Sequence, residues 1–220
     1  MPSICAISRL NNCQLSIRQL SIIFPIFVQN WERMATEQIE YLDSFEEKLQ
    51  VELLKLCTSH GVLGGTLLAS EDIDERWQEY APEYMADAVG ELNDYPAVAI
   101  AWAAYVGMAV AEWWDKSWEK MATAPYNTLH GSRGFDDMDE HILADILGIA
   151  PDSDEASRIA DTLRSCATLA ITLIRREEIE GGSTKAFYIF ARTARVMFRT
   201  GAALRLHALG YKFEKATMVN

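Results

Sequence analysis

From Thr36 to about Ser59 the apolar residues Ile39, Leu42, Leu49, Leu53, Leu56 and Cys57 recur at spacings of three, four and seven, with Phe45 between them. That period predicts an amphipathic helix, with Glu37 and Glu40 in its first turn and Gly61 ending it. Two shorter acidic helices are expected near 71–79 and 82–93, with Pro82 in the first turn of the second. After Pro96, a position where a helix tolerates proline, residues 97–111 carry no charge at all. Further on, 122–135 reads as a long loop, followed by an acid-rich helix start at 136 and a stop at Gly148. Long helices are expected over about 153–179 and 183–208, the second opening at the GGST turn.

These elements predict an all-α, single-domain helical bundle of five to seven helices, with a buried central helix near 96–121. The central segment is too short to cross a membrane, which takes roughly 20 apolar residues, and its flanks are acidic. Small residues at Ala103, Gly107 and Ala111 would let neighbouring helices approach closely. Its end is unusual. AEWWDKSWEK at 111–120 sets Glu112, Asp115 and Glu119 among three tryptophans. Projected as a helix, the acids extend the Tyr105 and Met108 stripe, with Trp113 on one flank and Trp114 and Trp118 on the other.

The last helix repeats the i, i+3, i+7 spacing in the opposite sign, with Arg192, Arg195 and Arg199. If the two helices lie antiparallel, Glu112 faces Arg199, Asp115 faces Arg195 and Glu119 faces Arg192. One reading is a closed salt-bridge seam of bidentate pairs. A second is a pocket in which the arginines and the walls Trp113 and Trp114 grip an anion. A third is an exposed basic face for an acidic partner.

Charge distribution adds two points. The net charge of −12 excludes nonspecific nucleic-acid binding, which needs Lys and Arg against phosphates. Yet residues 181–220 hold seven Lys or Arg against Glu214 alone, so a basic last segment is expected to dock on the acidic body. Residues 1–33 differ in texture, with Cys5, Cys13, few acids and a short apolar patch broken by Pro25. They are expected to be a poorly ordered extension ahead of the true start at Met34, leaving 34–220 as the helical domain. Cys57 and Cys166 read as core residues, and the absence of a CxxC pair or metal-ligand spacing points to a reducing cytoplasm.

Candidate chemistry is sparse. His60, His130, His141 and His207 form no E-x-x-H or H-E-x-x-H pattern. The weak metal candidates are Asp137 and His141, one turn apart, with His130 and Arg133 in the loop before them. Ser132 in HGSRG is neither a nucleophile elbow nor part of a phosphate loop. No cofactor, nucleic acid or membrane is expected. The leading expectation is a non-enzymatic interaction or regulatory module, self-associating or binding a protein partner through its aromatic-rich surface. The alternative is a domain binding a small anionic ligand, with or without catalysis, at Glu112, Trp113, Trp114, Asp115, Arg192, Arg195 and Arg199.

Overall fold

The computed structural model describes residues 36–64, 70–92 and 94–211, so the expected extension 1–33 and the start at Met34 lie outside the described residues. The chain divides into Met1–Tyr41 and Leu42–Asn220. Of the first unit, only the opening turns of helix α1 (Thr36–Ser59) are described; all packing reported below belongs to the second. The fold is all-α, with α2 (Glu71–Glu91), α3 (Pro96–Lys116), α4 (Trp118–Met121), α5 (Met138–His141), α6 (Asp154–Arg176) and α7 (Thr184–Ala208). Among the described residues the one β-like pairing is an isolated bridge between Gly131 and Gly134.

Local signals explain most of these bounds. Ser153 and Ser183 each accept a hydrogen bond from the backbone three residues on, at 3.1 Å, and so cap α6 and α7. The segment around Pro82 differs from expectation, because α2 runs through it as one helix. Pro82 gives up its bond to the Gln78 carbonyl, a cost of about 3 kcal/mol. Against that stands one unbroken buried stripe on both sides of it: Ile73, Trp77, Tyr80, Tyr84, Met85 and Ala88. Each large side chain fully buried there returns roughly 2–3 kcal/mol, and the stripe exists only if the helix keeps its phase.

The central helix is as buried as its composition implies. Every residue of α3 from Trp102 to Trp113 is buried, and α3 touches α2, α6 and α7. Contrary to the expectation from its uncharged run, α3 is the one described helix long and apolar enough by length and composition to cross a membrane, but 72% of that window is covered by the rest of the protein. The expected single helix to 121 instead breaks at Ser117, where φ is −152°. By then the helix has left the core, since Asp115 and Lys116 are exposed and no packing holds the phase.

Close approach decides how α3 and α7 meet. A Cβ on Gly107 would lie 1.9 Å from the Phe198 carbonyl oxygen, and one on Gly201 would lie 1.8 Å from that of Ala104. Two backbones therefore touch through two glycines, with Ala103, Ala104, Ala202 and Ala203 fully buried around them. Further along, Glu112 pairs with Arg205 and Asp115 with Tyr211. The contacts climb both helices together, so α3 and α7 run parallel.

The expected loop is more ordered than its composition suggests. A 3₁₀ turn at Tyr126–Leu129 sinks Tyr126 and Leu129 into the core, and a second spans Phe135–Asp137. From Ile142 the backbone after α5 widens into a π turn, Ile142–Ile146.

Candidate functional site

The parallel run of α3 and α7 overturns the expected pairing of the two ladders. Glu112, 3% exposed, accepts from Arg205 Nε at 2.6 Å and pairs also with Lys116. Asp115 accepts a hydrogen bond from the Tyr211 hydroxyl at 2.7 Å. Glu119 lies on α4, beyond the helix break, and is exposed. None of the three pairs is made with Arg192, Arg195 or Arg199. In a parallel pair the residue level with Glu112 lies toward the end of α7, and that residue is Arg205.

The arginine ladder turns instead toward α1 and α2. Arg192 pairs with Asp43 at 2.8 Å and with Glu46. Arg195 reaches Glu46 at 3.5 Å, and Arg199 reaches it at 3.6 Å. Arg199 also makes a bidentate pair with Asp74, Nε to Oδ1 at 2.9 Å and Nη2 to Oδ2 at 2.7 Å. Those bonds hold its guanidinium even more firmly protonated than usual, against the opposing effect of burial. Glu46 is 7% exposed and sits at the centre, one carboxylate facing three guanidiniums. Three acids and three arginines thus close a seam that joins three helices.

The tryptophans of AEWWDKSWEK do not border a shared pocket with these arginines. Trp113 is buried in the core. Trp114 donates its indole N–H to Asp72 at 3.2 Å and meets the Tyr211 ring edge-on at 5.7 Å. Tyr211 is held there by the turn that ends α7. Gly210 has φ of 91°, a conformation nearly free only to glycine, and Tyr211 N–H bonds back to the Leu206 carbonyl at 3.0 Å. An open cleft of about 390 Å³ does exist, but along α1, lined by Asp43, Glu46, Glu47, Gln50, Val51 and Leu54 together with Arg192.

The loop candidates resolve into structural contacts. His130 Nε2 lies 3.2 Å from Asp87 but lacks hydrogen-bond geometry to it. Asp137 accepts from the Arg133 backbone N–H and the Ser132 hydroxyl, each at 3.0 Å, with Arg133 Nε at 3.5 Å. Burial works to raise its pKa, but the Arg133 N–H, the Ser132 hydroxyl and the Arg133 guanidinium hold the carboxyl below the usual range. His141 bridges Asp145, 2.7 Å from Nδ1, and the Thr128 carbonyl, 3.2 Å from Nε2. Asp137 and His141 therefore serve separate partners. Among the described residues no group of three or more His, Cys, Asp or Glu is arranged to hold a metal ion.

Several important residues escaped the sequence reading. Asp43, Glu46, Asp74 and Arg205 complete the ion pairs described above. Asp139 takes the Trp102 indole N–H, and burial holds its carboxyl above the usual range. Tyr105 is pushed up to about 12, first by burial and then by the Asp139 charge. Of these, Glu46 carried a legible signal. In helical projection it falls between Leu53 and Cys57, inside the apolar sector of α1, where an acid needs a buried cation.

No family model, curated protein or solved structure matches the chain.

Proposed function

We propose that this protein is a non-enzymatic, all-α interaction or regulatory module of the cytoplasm, whose partner is another protein. The observation that carries this reading is the matched state of the arginines. Arg192, Arg195 and Arg199 each have an acid within 3.6 Å, so they fasten helices rather than grip a free anion. The cleft along α1 supplies the partner face. Its rim is acidic at Asp43 and Glu47, and Val51 lies exposed within it. That combination is complementary to a cationic amphipathic segment, with lysines or arginines on one side and leucine-like residues on the other.

Two measurements test the proposal. Fluorescence anisotropy of a labelled lysine- and leucine-rich helical peptide should show saturable binding that Glu47→Lys weakens at least tenfold. A thermal-shift screen with phosphate, citrate and nucleotides should leave the melting temperature unchanged. An anion-dependent rise that disappears in Arg195→Ala would overturn the reading in favour of an anion-binding domain.

A further inference from the structure

Cys57 and Cys166 are far apart in sequence and meet in the core. Cys57 lies in the last turn of α1, and Cys166 in the middle of α6. Their Sγ atoms are 3.7 Å apart, across a sequence separation of 109, and both residues are fully buried. Both are free thiols. Lys48, midway along α1, pairs at 3.1 Å with Glu177, the residue that caps the C-terminus of α6, so the two helices are antiparallel and already tied at a second point.

Two thiols in contact need only a small side-chain rotation to reach the disulfide distance of about 2.05 Å, provided the helices hold their positions. The two sulfurs share one S–H···S hydrogen bond, in which either can donate. Position separates their roles, because Thr58, Ser59 and His60 beside Cys57 are exposed, and opening of the last turn of α1 uncovers Cys57 first, making it the attacking thiol and Cys166 the resolving one.

We propose that Cys57 and Cys166 form a peroxide-oxidisable dithiol that closes into an internal disulfide bolting α1 to α6. The Cys57 sulfur attacks one oxygen of hydrogen peroxide, the O–O bond breaks, and water leaves with the thiol proton. Cys57 is then a sulfenic acid. The Cys166 sulfur attacks it, the S–O bond breaks, and a second water departs. Two thiols lose two protons and two electrons, and one peroxide becomes two waters. Burial controls the rate, through opening of the helix end, and contact between the sulfurs controls the product. The inference stands apart from the proposed partner, since Cys57 is fully buried and lines no part of the cleft.

The test uses the full chain under native conditions, treated with hydrogen peroxide, quenched with N-ethylmaleimide and digested without reductant for mass spectrometry. The expected product is a Cys57 peptide linked to a Cys166 peptide within one molecule, released by dithiothreitol, with a higher melting temperature in the oxidised form. Cys166→Ala should abolish the link and leave a Cys57 sulfenic acid that dimedone traps. Recovery of both cysteines as maleimide adducts after prolonged peroxide treatment would overturn the inference. So would a Cys57 peptide linked to Cys5 or Cys13 instead.

Discussion

Replacing Glu46 by Gln keeps the shape of the side chain and removes the one negative charge that three arginines share. Breaking a buried ion pair costs about 3–5 kcal/mol when the partner is left alone. Here the loss is smaller, because Arg192 keeps Asp43 and Arg199 keeps both bonds to Asp74. Arg195, whose pair is with Glu46, has a side chain 35% exposed and can turn to water. The expected loss is therefore roughly 2–3 kcal/mol. For a domain of this size that lowers the melting temperature by about 5–10 °C. Urea unfolding followed by far-UV circular dichroism gives the free energy directly. A double-mutant cycle with Arg195→Gln should show a coupling of about 1 kcal/mol. Because the carboxylate is buried, the loss should change little between low and moderate salt. A loss below about 0.5 kcal/mol, or one that vanishes in salt, would refute the placement of Glu46 at the hub.

Four further substitutions probe other parts of the fold. Gly107→Ala should cost at least about 3 kcal/mol or abolish soluble expression, because its methyl group meets the Phe198 carbonyl. Gly90→Ala, on an exposed helical position with open space around it, should instead stabilise by about 0.5–1 kcal/mol in the same urea assay. Asp139→Asn should raise the melting temperature at neutral pH. The folded-state pKa of Asp139 is raised, so ionised Asp139 penalises the folded state above that value, and the penalty disappears as pH falls below the unfolded value. The gain from Asn should thus shrink in acid, and a gain that is constant with pH would contradict the assignment. Tyr211→Phe removes the bond to Asp115 and should cost about 0.5–1 kcal/mol, measurable in the same way.

The helices were legible where a local signal agreed with the period. α1 occupies its expected range because its apolar stripe ends where Gly61 begins, and α6 and α7 start at their serine caps. Pro82 misled because a local rule was outweighed by a stripe of aromatic residues that only tertiary packing makes visible. The two charge ladders misled for a different reason. Spacing i, i+3, i+7 matches any other helix with that spacing and carries no information about direction. Three helices separate α3 from α7, so no hairpin connection requires them to be antiparallel. The small residues were the better guide, since Gly107 does mark the contact point. Its counterpart, Gly201, carried the same signal in the GAA of 201–203.

That contact also sets an order of events during synthesis. Glu112 and Arg205 are 93 residues apart, and the glycine crossing spans a similar interval. At the usual 5–20 residues per second, α3 is made roughly 5–20 s before the helix that covers it. Throughout that interval its uncharged run, residues 97–111, has α2 beside it but lacks its principal cover. The nascent chain therefore passes through a stage at which its most apolar helix is complete and incompletely shielded. It is at this stage, before Gly201 emerges, that exposed apolar surface leaves the chain most prone to aggregation.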